Sequence, residues 1–360
     1  MKKISRSSLY IKGVISCAFF WILFSFVQTN QLAVTLSHIN WFYLLFSLLL
    51  SPVMLLVSCL KWKMILDTGR FRVPFLQLIR IYLIGYFFSN LLPSTVGGDV
   101  IRSYYSGKII ESQSFAAISI FIERFSGVLL LLVLVLLAPL MQVGLYRSVY
   151  IYLPALGACC IFFAVLWVWR VRKPLEIPNR IARLTFTLLY RLFALPGLKK
   201  MSRLIPLLEK SYTTVSDRLE KLHIELGTAV STIKNNTFLL VKIIAITVLF
   251  YVLTWLNVYA AFLAFDVRPD FAGICALVPT ILFVAQIPVT VLGNLGFFES
   301  VFVVYFLLIG ISGAETLAMG LLLRIKLLIT GGAGYLVYLS YSHAEHIGEE
   351  LEHIRHDEGC

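Results

Sequence analysis

Long apolar runs dominate the chain, and short polar segments separate them. Runs long enough to be membrane spans begin near Leu9, Trp41, Phe75, Ser114, Ser148, Thr237, Phe271, Phe297 and Glu315. The runs are continuous rather than alternating, which favours helices over a β-barrel, because a helix satisfies its own backbone hydrogen bonds in lipid. Since several runs are interrupted, the pattern predicts an all-α integral membrane protein with about seven to nine membrane-embedded helices.

Composition supports this class. Hydrophobic residues make up 59% of the chain and charged residues only 14%, with a mean hydropathy of +0.87. A soluble domain carries about 25% charged residues. The six cysteines have no paired spacing, so the sequence predicts neither a disulfide framework nor a zinc motif. The apolar stretch after the basic N-terminus lacks a small-x-small cleavage site, which predicts an uncleaved first span.

The positive charge of the chain is concentrated in two segments. Residues 1–12 hold four Lys/Arg and no acidic residue, and residues 170–236 hold thirteen Lys/Arg against five acidic residues. The positive-inside rule predicts such a bias for loops beside membrane spans, so nucleic acid is not an expected partner. We therefore expect both segments to be cytoplasmic, together with a short loop that bears Lys61, Lys63, Arg70 and Arg72.

The basic segment divides the chain into parts. We expect a first membrane half over 1–169, a basic cytoplasmic loop over 170–236, a second membrane half over 237–342 and a polar tail over 343–360. Apolar residues at three- and four-residue spacing between Leu204 and Leu226 predict an amphipathic helix within the loop. The loop is too short to be a separate catalytic domain of usual size.

Residues 74–113 must enter and leave the membrane on the cytoplasmic side if the two basic segments are both inside. A re-entrant hairpin of two partial helices satisfies this requirement, and two full crossings of the membrane fit it almost as well. Charged residues at membrane depth favour the hairpin.

Two interruptions of the apolar runs resemble each other. Residues 92–102 and residues 287–299 both contain Pro-x-Thr-Val, then a glycine followed by Asp or Asn, and an ionised residue a few positions later. Corresponding Gly/Pro interruptions in two halves of a membrane protein indicate a binding site at the midplane, between discontinuous helices. We therefore predict two halves with broken or re-entrant helices in an inverted repeat. Chance similarity between two kinks packed by small residues is the alternative.

Ionisable residues within the apolar runs are candidate functional groups. Each such charge costs about 2.5–3.5 kcal/mol at the centre of a span. Glu123 and Arg124 are adjacent and point about 100° apart on a helix, so each needs its own partner. Asp99 can pair with Arg102 three residues later, or it can cap the helix that follows the glycines.

The sequence contains no HExxH, GxSxG or nucleotide-binding glycine loop, so we expect a protein that is not an enzyme and has no cofactor. Four histidines in the C-terminal tail admit a metal site, but an ordinary amphipathic helix end is the favoured interpretation. No metal site is predicted.

These motifs together resemble the flippase-like family that is named for the transmembrane domain of lysylphosphatidylglycerol synthases. The similarity covers about residues 10–340, and three motifs in order carry it: Asn90-Leu91-Leu92-Pro93 with Gly97-Gly98-Asp99 and Arg102, then Glu123-Arg124-x-x-Gly127, then Pro288, Gly293, Gly296 and Glu299. In bifunctional members this domain moves an aminoacylated phospholipid between leaflets, and a separate cytosolic domain makes that lipid. The resemblance implies a stand-alone member without the synthase domain, since the chain ends at Cys360.

We therefore expect a multi-pass protein of the cytoplasmic membrane that translocates or binds an anionic phospholipid or a polyprenyl-phosphate-linked lipid. The alternative is an accessory subunit that serves a membrane glycosyltransferase or a lipid-modifying enzyme without transporting lipid. The predicted substrate-binding residues are Pro93, Gly97, Gly98, Asp99, Arg102, Glu123, Arg124, Pro288, Gly293, Gly296, Glu299, Arg324 and Lys326.

Overall fold

A computed structural model of the chain describes residues 29–69, 71–91, 96–170, 224–287, 289 and 294–357. The predicted first span from Leu9 and most of the basic loop with its amphipathic helix lie outside these residues. So do three of the predicted site residues, namely Pro93, Pro288 and Gly293.

All regular elements in the described residues are helices. They are α1 (Thr29–Ser37), α2 (Trp41–Leu66), α3 (Phe75–Leu91), α4 (Val96–Ile109), α5 (Gln113–Leu137), α6 (Val149–Arg170), α7 (Thr237–Leu263), α8 (Phe271–Ala285), α9 (Phe297–Leu307) and α10 (Gly313–Asp357). A further helical stretch over 224–235 precedes α7, and 3₁₀ turns follow α2 and α5.

Five helical stretches are long and apolar enough to cross a membrane, and they comprise α2, α5, α6, α7 and the first part of α10. Helices α3, α8 and α9 are apolar but shorter. Large apolar side chains are exposed on the outer faces, such as Trp41 at 74% and Phe238 at 70%. Exposing such apolar surfaces to water is unfavourable, whereas contact with lipid acyl chains is not. The prediction of an all-α integral membrane protein is confirmed for the described part of the chain.

Helices α2–α5 and helices α7–α10 form two units of the same design. In each unit a long helix is followed by two shorter helices and a second long helix. Helix α7 begins 196 residues after α2, and α10 begins 200 residues after α5. The first helix of each unit also begins in the same way, since the side chains of Asn40 and Asn236 accept hydrogen bonds from backbone N–H groups at its N-terminus.

The two units run in opposite directions through the molecule. At one end of the α2/α7 contact, the backbone N–H of Asn40 donates to the carbonyl of Ala264 at 2.8 Å. The start of α2 therefore lies beside the end of α7, and the two helices are antiparallel. This is the inverted arrangement that the two similar interruptions predicted.

Helices α3 and α4 form a close hairpin. Gly98 of α4 lies so near Gly85 of α3 that a Cβ on Gly98 would collide with the Gly85 carbonyl group. The loop after α4 contains Glu111, an exposed residue with φ of 54°. Asp99 lies ten residues before Ile109, or about 15 Å along the helix, which is half of a hydrocarbon core of about 30 Å. This geometry agrees with a re-entrant hairpin in which Asp99 lies near mid-depth.

The C-terminal part of α10 lies on the same side of the molecule as the start of α3. Tyr341 of α10 and Arg80 of α3 line one cavity there, of about 480 Å³. The α2–α3 connection and the end of α10 therefore share a side.

The charge pattern placed Lys61 in a short loop, and this prediction is wrong. Helix α2 continues to Leu66, and Lys61 is buried within it at 7% exposure. The apolar residues Ile65 and Leu66 prolong the helix beyond the lysine, because their side chains pack into the bundle.

Candidate functional site

Four charged side chains at the start of α4 and the middle of α5 form a first cluster, made of Asp99, Arg102, Glu123 and Arg124. Arg102 contacts Glu123 at 2.8 Å and Asp99 at 3.2 Å. Arg124 donates hydrogen bonds to Asp99 from two nitrogens, with Nη2 at 2.9 Å from Oδ1 and Nε at 3.1 Å from Oδ2. The cluster is a chain of alternating charge in which Asp99 bridges the two arginines.

Helical geometry explains this arrangement. Residues three apart share a helix face, so Asp99 and Arg102 meet on α4. Glu123 and Arg124 diverge on α5 and therefore bind different partners, as the sequence predicted. Helix α4 already begins at Val96, so Asp99 lies within its first turn and acts as an ion-pair partner.

Two aromatic rings enclose Arg102. Its guanidinium carbon lies 4.4 Å from the ring centre of Trp62 and 3.9 Å from that of Tyr82. The Tyr82 hydroxyl donates to Glu123 at 3.3 Å, and the Trp62 indole N–H donates to Ser119 at 3.0 Å. Stacking against aromatic faces stabilises a desolvated cation. The sequence did not single out these rings, because aromatic residues occur throughout the apolar runs.

Arg124 is the accessible member of the first cluster. Its side chain is 53% exposed, whereas the side chains of Arg102 and Glu123 are 2% and 5% exposed. The cluster therefore presents one guanidinium group to its surroundings and keeps the rest of its charge buried.

A second cluster lies at the start of α9 and consists of Gly296, Phe298, Glu299 and Arg324. Arg324 donates to Glu299 Oε1 at 2.8 Å, and the backbone N–H of Gly296 donates to Oε2 at 2.8 Å. Gly296 has φ of 83°, a conformation that favours glycine. The Arg324 guanidinium lies 5.3 Å from the ring centre of Phe298.

Asn294 holds the turn before α9. It has φ of 61°, and its side-chain amide donates to the carbonyls of Ala285 and Ile287 at 2.9 and 2.7 Å. These bonds tie the turn to the end of α8. The resemblance to a family offered no role for this residue.

Each cluster contains one ion pair that has an equivalent in the other cluster. Asp99 and Arg124 are 25 residues apart, and so are Glu299 and Arg324. Each carboxylate lies in the first turn of the third helix of its unit, and each arginine lies on the long helix that follows. The Arg102–Glu123 pair has no charged counterpart, because Phe302 and Leu323 occupy the corresponding positions 200 residues later.

Lys326 belongs to neither cluster. Its ammonium group donates to Ser47 Oγ at 2.6 Å and to Asn257 Oδ1 at 2.7 Å. Arg324 is only two residues away, but side chains at that spacing leave the helix in different directions. The sequence reasoning missed Ser47 and Asn257, although Asn257 is the only amide side chain in α7.

The predicted site residues therefore lie in three places. Among the described residues, no hydrogen bond or ion pair joins the first cluster to the second. Gly97 and Gly98 lie in the first turn of α4, where Gly98 packs against α3. Among the described residues these groups form two equivalent ion pairs and a separate lysine, and the turns at 92–95 and 290–293, where the sequence predicts a shared site, lie outside those residues.

Basic side chains outnumber acidic ones when the two clusters are taken together with the buried lysines Lys61 and Lys326. Lys61 and Lys326 have no carboxylate within 4 Å in the part of the chain that the structure describes. Five basic side chains thus accompany three acidic ones, so two basic groups lack a carboxylate partner among the described residues. The cations are Lys61, Arg102, Arg124, Arg324 and Lys326, and the acids are Asp99, Glu123 and Glu299.

The chain matches the family model described as lysylphosphatidylglycerol synthase TM region over residues 9–333. The match covers most of the chain, so the protein belongs to this family of membrane proteins. It is also similar to the UPF0104 membrane protein MJ1595 of Methanocaldococcus jannaschii, with 25% identity over 124 residues. That alignment covers 34% of this chain and 36% of the relative, so the chain matches about a third of the relative's length. No solved structure matches the chain.

Proposed function

We propose that this membrane protein translocates an anionic lipid, either a phospholipid or a polyprenyl-phosphate-linked lipid, across the cytoplasmic membrane. The observation that carries the proposal is the half-exposed guanidinium of Arg124, together with two buried lysines, Lys61 and Lys326, that have no carboxylate partner among the described residues. Charge at membrane depth is costly, and an anionic headgroup offsets that cost.

Arg124 is the contact we assign to the headgroup. A guanidinium group stays charged and can bind a phosphate through two parallel hydrogen bonds. Its partner Asp99 holds it at the start of the broken helix, where backbone N–H groups and the helix dipole also favour an anion. Arg324 takes the same role in the second unit, where Glu299 orients it.

In the proposed mechanism the headgroup moves past the two ion pairs while its acyl or prenyl tails remain in lipid. The inverted repeat supports alternating access, because two inverted units that exchange conformations would expose a site first to one side and then to the other. Lys63 and Arg72 lie at the α2–α3 connection, so the positive-inside rule assigns that side, and with it the end of α10, to the cytoplasm. The proposal includes no catalytic step.

The test uses purified protein in vesicles that contain a labelled anionic phospholipid or, in a second series, a labelled polyprenyl phosphate. The wild type should speed movement between leaflets. Arg124→Leu should slow that movement about tenfold or more, since losing a hydrogen bond to a charged group costs about 1.5–3 kcal/mol. Arg124→Lys should slow it less, because the charge remains but the planar fork is lost.

Arg268→Leu is the matched control, because Arg268 has an 81% exposed side chain on the α7–α8 loop. It should leave transport unchanged. Transport at the wild-type rate by Arg124→Leu would remove Arg124 from the headgroup site. A wild type that moves neither lipid, but is isolated with a stoichiometric membrane enzyme, would favour the accessory-subunit alternative.

A further inference from the structure

Lys326 lies where helices from both units meet. Its ammonium group, on α10, reaches Ser47 of α2 and Asn257 of α7. A third, longer contact of 3.5 Å joins it to the backbone carbonyl of Ser47. Lys326 is 4% exposed, and Ser47 is completely buried. The lysine is therefore enclosed at the seam between the two units.

The partners of Lys326 differ in kind from those of the arginines. Carboxylates hold Arg102, Arg124 and Arg324, and an ionised carboxylate only accepts hydrogen bonds, so it requires a protonated partner. A serine hydroxyl can both donate and accept, and an asparagine amide can turn to present its NH₂ group. Ser47 and Asn257 can therefore satisfy the lysine as an ammonium ion and as a neutral amine.

Among the described residues, no acidic group faces Lys326 from the helices packed against α10. Glu299 of α9 is bound to Arg324, and α1 carries no ionisable side chain. Lys61 lies 14 residues from Ser47 on α2, or about 21 Å along the helix. Arg80 of α3 lies at the distant cavity beside Tyr341.

Along α2 and α7, two tyrosines are the titratable groups nearest to the partners of Lys326. Tyr43 lies one turn before Ser47 on α2, and Tyr259 lies two residues after Asn257 on α7. Neither forms a hydrogen bond with the lysine in the described structure. The charge of Lys326 is therefore free to change by proton exchange, without the loss of an ion pair.

We propose that Lys326 binds and releases a proton, and that this exchange couples lipid movement to a proton gradient. The amine takes a proton from water on one side and returns it on the other, and only an N–H bond forms and breaks. The inference rests on the proposed function. A protonated Lys326 adds positive charge to α10, the helix that also carries Arg324, so proton binding and the binding of an anionic headgroup favour each other.

The experiment uses vesicles that contain the full-length protein, a labelled anionic phospholipid and an internal pH-sensitive dye. The wild type should move lipid faster when a proton gradient is imposed, and lipid movement should be accompanied by proton flux. Lys326→Met should lose both responses. Lys242→Met is the control, because Lys242 is exposed and stacks on Phe238, and it should keep both responses.

Asn257→Asp is a second variant that preserves the shape of the site. A carboxylate beside Lys326 should keep the lysine protonated, so the gradient response should be lost although the lysine is present. If Lys326→Met and Asn257→Asp both respond to the gradient as the wild type does, the inference is wrong. Lipid movement by the wild type without any gradient response also overturns it, and leaves the proposed function standing. A wild type that moves no lipid contradicts both.

Discussion

Arg102 is the most completely enclosed charge in the first cluster. Its side chain is 2% exposed between Trp62 and Tyr82, and it binds both Asp99 and Glu123. Desolvation of an arginine and a glutamate is costly, and good geometry with further hydrogen bonds is needed to offset it. Arg102 does not reach the surroundings, so its role is to position the two carboxylates, and through Asp99 to hold Arg124.

Replacing Arg102 by leucine should destabilise the protein strongly. The change leaves Glu123 buried without its cation, and removing one partner of a buried pair costs about 3–5 kcal/mol. The measurement is the free energy of unfolding of the purified protein in detergent, obtained by denaturant titration. Arg268→Leu, which alters an exposed side chain, should change that free energy by less than about 0.5 kcal/mol.

The double variant Arg102→Leu/Glu123→Leu checks the cause of the loss. It removes both charges, so it should recover much of the stability that Arg102→Leu loses. A single variant as stable as the wild type would show that the pair contributes nothing to the fold.

At the scale of helices, the apolar pattern predicted the starts more accurately than the ends. Helices α2, α3, α7, α8 and α9 begin at the predicted residues, because a polar or turn-forming residue precedes each apolar run. The end of α2 was placed too early, since a lone lysine resembles a loop boundary. Only the packing of the residues beyond Lys61 shows that the helix continues.

Helix α3 depends on a close approach to α10, which provides a test with neighbouring glycines. A Cβ on Gly334 would collide with the backbone carbonyl of Leu83, whereas a Cβ on Gly332 would meet nothing within 4 Å. Gly334→Ala should therefore lower the free energy of unfolding by about 1–3 kcal/mol, the usual cost of overpacking.

Gly332→Ala is the matched control on the same helix. It should be neutral or stabilising by up to about 1 kcal/mol, because alanine favours helix more than glycine does. Both variants are compared by denaturant titration in the same detergent. Equal effects of the two alanines would contradict the close packing of α3 against α10.

At the scale of the whole molecule, the sequence predicted the repeat but not the composition of the site. Each of the two similar interruptions lies within a short segment, so the local pattern of glycine and proline residues was enough to identify them. Partners such as Trp62 with Arg102, or Ser47 with Lys326, are brought together only by helix packing. They are 40 and 279 residues apart, and no local pattern connects them.

The two equivalent arginines are not equally accessible. The side chain of Arg124 is 53% exposed, whereas that of Arg324 is 10% exposed under Phe298. In an inverted repeat, two units that adopt different conformations exchange those conformations when the protein switches state. Under the proposed alternating access, the structure corresponds to a state in which the first unit is open and the second is closed.

The last prediction follows from this asymmetry. Ser103 and Val303 lie one helical turn after Asp99 and Glu299, at equivalent positions 200 residues apart. Ser103 is partly exposed, and Val303 is buried at 8% exposure. In a protein without native cysteines, Ser103→Cys should therefore react faster with a small thiol reagent than Val303→Cys does.

A substrate lipid that favours the opposite state should change the two labelling rates in opposite directions, because a ligand shifts the population of states that it binds unequally. The rate at Ser103→Cys should fall while the rate at Val303→Cys rises. A cysteine at Val149, which is 69% exposed on α6, is the control and should not respond to the lipid. If both site cysteines become faster or slower together, the two units open and close in unison, and alternation between them is ruled out.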